Sequence, residues 1–194
     1  MLLSLDLDLR ADQLFTDPPA GKTIIVVAGR KRLEDMYVTH TEDLEQKGVT
    51  LLCQGFSGGM GRMQAEFDAL EGNVIMALSA FQVEAMHIAR PQVAQFYIES
   101  LPFDHPNHPV VSKRGELFKN SFTGYSLPRL QHRLFRLAKV FARLALPGAT
   151  ITLLDKRLGN KPYAQRVLSY WRELVEPVLE ESNDDQEGEQ LTLL

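Results

Sequence analysis

Five short runs constrain the fold of this chain most. Thr23–Ala28, Val49–Cys53, Asn73–Leu78, Val93–Ile98 and Ala149–Leu154 are predominantly apolar and rich in β-branched residues. Each has strand length and lacks the strict polar–apolar alternation of a half-exposed strand, so each reads as a strand covered on both faces. Between them lie stretches with helical spacing at 31–46, 62–70, 111–119, 127–146 and 162–181. Buried strands separated by helices predict an α/β fold, a mostly parallel central sheet with flanking helices in three layers. Ligands of such sheets bind at the carboxyl ends of the strands. Those ends are residues 29–31, 55–61, 79–87, 100–108 and 155–157.

The chain divides into a lead-in or linker over 1–20, closed by Asp17-Pro18-Pro19-Ala20-Gly21, a domain over 21–181 and an acidic tail over 182–194 expected to be disordered. No run of eighteen apolar residues exists, and acids interrupt the apolar start, so a cytoplasmic protein without a membrane partner is expected. The single cysteine, Cys53, excludes an internal disulfide and a four-cysteine metal site.

The net charge of −4 hides an asymmetry. Residues 173–189 hold eight acids and no Lys or Arg, which leaves 17 acids against 21 bases in residues 1–172. Eight bases and two acids lie between Leu101 and Arg143. On a helix over 127–146, Arg129, His132, Arg133, Arg136, Lys139 and Arg143 share one arc, and Leu130, Leu134, Leu137, Phe141 and Leu144 share another. Like charges at this spacing repel. Either acids from a neighbouring segment or a bound polyanion must compensate them; an ordinary solvated face balanced by the tail is the plainer alternative.

Three local patterns invite a ligand. Ala20-Gly21-Lys22-Thr23 has part of a phosphate-binding loop, but Thr16 stands where the first glycine is required, and the pattern precedes a strand instead of joining a strand to a helix. Gly55–Gly61 has the strand–turn–helix setting of an anion-binding backbone nest, or of a simple turn. Asp104, His105 and His108 could ligate a metal or form hydrogen-bonded turns on a proline-stiffened loop; no metal site is assigned.

An ordered set of segments then points to a family: Leu101-Pro-Phe-Asp-His-Pro-Asn-His-Pro109, Tyr125-Ser-Leu-Pro128 opening the basic helix, Leu153-Leu-Asp-Lys-Arg157 and Lys161-Pro-Tyr163. This order resembles the second RecA-like domain of DinG-type, XPD-like superfamily-two DNA helicases. Residues 26–30 resemble the family's motif IV. Residues 79–87 resemble motif V, close to T-x-x-W-x-E-G-x-D, with Glu84 matching the acid, Ala85 in place of the glycine and His87 in place of the aspartate. Residues 136–143 stand where the family has Q-x-x-G-R-x-x-R; only Arg143 matches, and Arg136, Lys139 and Val140 replace the glutamine, the glycine and the first arginine.

The resemblance implies a RecA-like domain that supplies nucleic-acid binding and one wall of an interdomain ATP cleft. It implies Arg143 and Arg136 as catalytic candidates, and Glu84, His87 and Arg143 as nucleotide-facing residues. Arg30, Lys31, Lys113, Arg114, Lys119, Arg129, Arg133 and Lys139 would face nucleic acid. ATP and Mg²⁺ are expected only together with a separate P-loop-containing first domain, in cis or in trans, and no ATPase activity is expected of this chain alone. Single-stranded DNA is the expected partner, with RNA as the other candidate. A non-catalytic nucleic-acid- or protein-binding module is the alternative. A small-molecule enzyme on a doubly wound sheet is the weakest, since no catalytic set is recognisable.

Overall fold

A computed structural model describes residues 2–87, 90–175 and 177. The expected acidic tail and the end of the last helix lie outside them.

Six strands form one sheet in the order β1-β6-β5-β2-β4-β3, every pair parallel. In chain order the elements are β1 (Leu2–Leu5), α1 (Gln13–Thr16), β2 (Lys22–Val26), α2 (Arg30–Gln46), β3 (Val49–Cys53), α3 (Met60–Ala69), β4 (Asn73–Leu78), α4 (Ala80–Glu84) and β5 (Val93–Ile98). Then follow α5 (Pro109–Gly115), a π-helical turn (Phe122–Ser126), α6 (Leu127–Leu144), β6 (Ala145–Leu153), α7 (Arg157–Asn160), α8 (Ala164–Tyr170) and a second π-helical turn (Trp171–Val175). The five expected strands and the three-layer α/β architecture are present.

The two faces of the sheet bury different side chains of the same strands. Ile24 and Val26 join Phe96, Ile98 and Ile151 in a core covered by α3, α4, α6 and α8. Ile25 and Val27 face the other way, onto Leu33, Met36 and Leu44 of α2 and Leu14 and Phe15 of α1. Residues buried on either side of one strand explain its unbroken apolar run.

The lead-in corrects the sequence reading. Residues 2–5 pair with Thr150–Leu153 as an edge strand, and Phe15 is fully buried. Residues 2–5 and the α1 segment with the buried Ala11, Leu14 and Phe15 are therefore built into the domain. The signal was the alternation Leu3, Leu5, Leu7, Leu9 with Ser4, Asp6 and Asp8, the period of a one-sided strand. Leu7 packs so closely on Gly159 that a Cβ there would lie 2.8 Å from its Cδ1. The basic helix ends at Leu144, two residues short of the expected 146, because the chain turns directly into β6. Pro147 and Gly148 fall in an irregularity of the ladder, where the pairing slips between Val93 and Gln95.

Candidate functional site

The strand ends converge as expected, and α6 connects them. It starts beside the loop after β5 and runs against the strand direction; the Leu144 carbonyl accepts the Gln92 N–H just ahead of β5. Arg129 Nε lies 2.5 Å from Asp104 Oδ2, and Arg133 Nη1 lies 2.9 Å from Asp104 Oδ1 and donates to the Pro102 carbonyl at 3.0 Å. Arg136 Nη2 lies 2.6 Å from Glu84 Oε2, and Arg133 Nε stands 3.6 Å from Glu84 Oε1. Three segments distant in sequence, 79–87, 101–109 and 127–136, are thus clasped by two carboxylates and three guanidinium groups.

The repulsion along the basic helix is compensated by acids from neighbouring segments. Glu84 is the inner anchor, its side chain only 6% exposed. Burial raises the pKa of the Asp104 carboxyl, but the hydrogen bond from Arg129 and the charge of Arg133 outweigh it, so the group sits below its ordinary 3.8. Arg129, Arg133 and Arg136 are therefore tied inward, which differs from a freely presented basic arc.

The remaining cations separate. Among the described residues, Arg30, Lys31, Arg114, Lys119, Lys139 and Arg143 have no carboxylate within 4.0 Å, whereas Lys113 meets Glu116 at 2.8 Å on the surface. Arg143 is exposed and donates only to the Lys139 carbonyl, at 3.3 Å. It lies seven residues beyond Arg136, about 10 Å along the axis toward the amino edge. Val140 is 4% exposed and belongs to the core, so the position that resembles the first arginine of the Q-x-x-G-R-x-x-R pattern faces inward. His87 is exposed, with its backbone N–H donating to Gln64 Oε1 at 3.2 Å.

The Gly-Lys-Thr segment serves another purpose. Lys22 opens β2 at the amino edge, opposite the converging loops. Its buried ammonium donates to the carbonyls of Phe67 (2.5 Å) and Asp68 (3.3 Å) at the end of α3, and to Gln92 Oε1 (2.7 Å). Burial lowers its pKa, with Arg90 adding to the effect. The Gly55–Gly61 turn closes on itself: the amides of Phe56 and Ser57 both donate to the Cys53 carbonyl, and the Cys53 amide donates to Ser57 Oγ. Among the described residues no group of three His, Cys, Asp or Glu could hold a metal ion. Lys22, the lysine of the Gly-Lys-Thr segment, is thus engaged by carbonyls, and the carboxylates of the clasp are held by arginines.

Three features escaped sequence reasoning. The switch point of the sheet lies between β2 and β5, and there Arg32 bridges Glu99 and Asp12, each at 2.7 Å. The buried Asp155 accepts from the Leu101 amide (2.6 Å), the Arg157 amide (2.9 Å) and the Arg157 guanidinium (2.5 Å), joining the loops after β5 and β6. Leu117 and Phe118, just ahead of the first π-helical turn, and Phe122, its first residue, lie on the surface. The sequence signal for the second was present in Leu-Asp-Lys-Arg; those for the others were not, because they depend on strand order and on a turn.

Comparison with known proteins gives a consistent result. The family described as helicase C-terminal domain matches residues 13–174. A protein of Bacillus subtilis (strain 168) described as 3'-5' exonuclease DinG is 24% identical over 161 residues, covering 80% of this chain and 17% of its own length. A solved structure described as an XPD helicase superposes with a TM-score of 0.60 at 11% identity, over 88% of this chain and 34% of that one. The chain thus spans a minor part of both. Among the described residues, no helix is long and apolar enough to cross a membrane.

Proposed function

The chain belongs to the helicase C-terminal domain family, and from that premise we propose that it works as the second RecA-like domain of a two-domain, ATP-driven nucleic-acid motor. In this reading it binds single-stranded DNA, with RNA as the other candidate, and forms one wall of a cleft whose nucleotide is held by a separate P-loop-containing domain. The supporting observation is the clasp of Glu84, Asp104, Arg129, Arg133 and Arg136, which fixes the segments resembling motif V and the last motif in one rigid surface. Arg136 and Arg143 remain the residues proposed to face the nucleotide, with Glu84 holding Arg136 in place. Lys31, Arg114, Lys119 and Lys139 supply phosphate contacts.

A second reading, a binding module without catalysis, is favoured by Val140. An arginine finger neutralises charge on the transferring phosphoryl group; a valine in the core offers neither charge nor donor.

The test is binding of a fluorescent single-stranded oligonucleotide across a salt series, then ATP turnover after adding the cognate P-loop domain. Expected is weak, sequence-independent binding whose log–log salt slope falls by about 0.7 for each phosphate contact removed by alanine at Lys31, Arg114, Lys119 or Lys139. Turnover by the reconstituted pair that drops at least a hundredfold with Arg143→Ala supports the motor; a pair without turnover, with binding intact, supports the module. A chain that binds no single strand at low salt refutes the motor and the nucleic-acid-binding module, and leaves a protein-binding module.

A further inference from the structure

An apolar patch stands on the surface just ahead of the basic helix α6, in a segment that is itself basic. Leu117 is 82% exposed, Phe118 44% and Phe122 37%. Isolated exposed apolar residues need no explanation, but three within six positions do. The turn that carries them is stiff. The Phe118 amide donates to the Gly115 carbonyl, the Gly124 amide to the Asn120 carbonyl and the Thr123 amide to Asn120 Oδ1. Gly124 leaves room for the ring: a Cβ there would lie 2.8 Å from Phe118 Cδ1 and 3.0 Å from its Cβ. One side of Phe118 leans on Tyr125, 5.8 Å between centroids, and Tyr125 in turn sits under the Arg129 guanidinium at 5.4 Å. The turn itself is π-helical, a form concentrated at functional positions.

The surrounding charge selects the occupant. Residues 109–126 contain Lys113, Arg114 and Lys119 against one acid, Glu116, which Lys113 already meets. A fixed aromatic ring among unpaired cations suits a polyanion that also carries flat apolar groups. We infer that Phe118, backed by Tyr125 and neighboured in sequence by the exposed Leu117 and Phe122, is a stacking platform for the bases of a single strand whose phosphates are held by Arg114 and Lys119. This rests on the nucleic-acid reading above and adds to it a base-contacting residue. Stacking on a phenyl ring is tolerant of sequence because every base has a π-face.

The experiment compares oligothymidylate with an abasic oligomer of the same length and charge, using the full chain. The wild type is expected to bind oligothymidylate at least about fivefold more tightly. Phe118→Ala should abolish that difference and leave abasic affinity and the salt slope unchanged, whereas Phe118→Trp should keep it. Arg114→Ala and Lys119→Ala should weaken both oligomers alike. Trp171, the native tryptophan, is buried, so emission from the new tryptophan of Phe118→Trp reports directly on the patch and should be quenched by oligothymidylate and not by the abasic oligomer. Equal wild-type affinity for the two oligomers overturns the platform while the phosphate-binding reading stands. An unchanged preference in Phe118→Ala also overturns it and assigns the patch to a protein partner. No binding of either oligomer refutes platform and reading together.

Discussion

Asp155 shows how one carboxylate can define a loop surface. It is 5% exposed and accepts hydrogen bonds from two loops. Burial raises its pKa, and the Arg157 guanidinium with the Leu101 and Arg157 amides more than reverses this, so the folded value lies below 3.8. A carboxyl with a depressed folded pKa stabilises the fold fully above its unfolded value, and that contribution is lost as pH falls through the folded one. Asp155→Asn keeps the shape but loses the charge that Arg157 needs, and Arg157 is itself partly in water, which screens the pair. The expected cost is about 2–3 kcal/mol at neutral pH, read as a lower urea midpoint at unchanged slope. Between pH 5 and pH 3 the variant should lose less stability than the wild type, since one group linked to acid unfolding is gone. Parallel acid limbs for the two proteins would show that Asp155 does not carry this linkage.

At the scale of elements, the basic face of α6 was legible in the sequence and its partners were not. Spacing placed Arg129, Arg133 and Arg136 on one arc, and like-charge repulsion required a counter-charge. Which counter-charge depended on the packing of α4 and the loop after β5 against α6, contacts between segments some 25 to 50 positions apart. The strands were legible for the same reason that their order was not: five doubly buried runs look alike, and nothing local says that β2 lies between β4 and β5. β1 was missed because it is a four-residue edge strand with no continuous β-branched run, unlike the five doubly buried strands. The clasp itself gives a prediction with two opposite signs. Glu84→Gln removes the buried anion that holds Arg136 and steadies Arg133. Stability should fall by about 1–2 kcal/mol, less than for a fully buried pair because Arg136 can turn to solvent. Affinity for single-stranded DNA should rise at low salt, with a steeper salt slope, because the Arg136 guanidinium becomes available to phosphates while Arg133 stays on Asp104 and the Pro102 carbonyl. Chemical unfolding and anisotropy read the two effects separately, and a destabilised variant with unchanged affinity would mean that the freed arginine points away from the nucleic-acid path.

For the whole molecule, the two edges of the sheet do different work. The carboxyl edge gathers the motif-like segments and most of the unpaired cations. The amino edge is sealed, with Lys22 bridging the end of α3 to Gln92 just before β5. A phosphate-binding loop requires its lysine at the carboxyl end of a strand, where a helix N-terminus can share the charge. Lys22 lies at the opposite end, and its ammonium faces carbonyls at a helix C-terminus, where a cation is favoured and an anion is not. The chain alone should therefore neither bind ATP tightly nor hydrolyse it, since phosphoryl transfer needs a phosphate cradle and a Mg²⁺ site in place together. Lys22→Ala separates this from the P-loop alternative. In a P-loop protein the change abolishes nucleotide binding and leaves stability nearly intact. Here it should leave the calorimetric response to ATP at the wild-type baseline and lower stability by about 2 kcal/mol, because two helix-end carbonyls and Gln92 Oε1 lose a buried donor. ATP turnover by rigorously purified protein that disappears in Lys22→Ala, with the unfolding midpoint unmoved, would reverse this assignment and place the nucleotide at the amino edge.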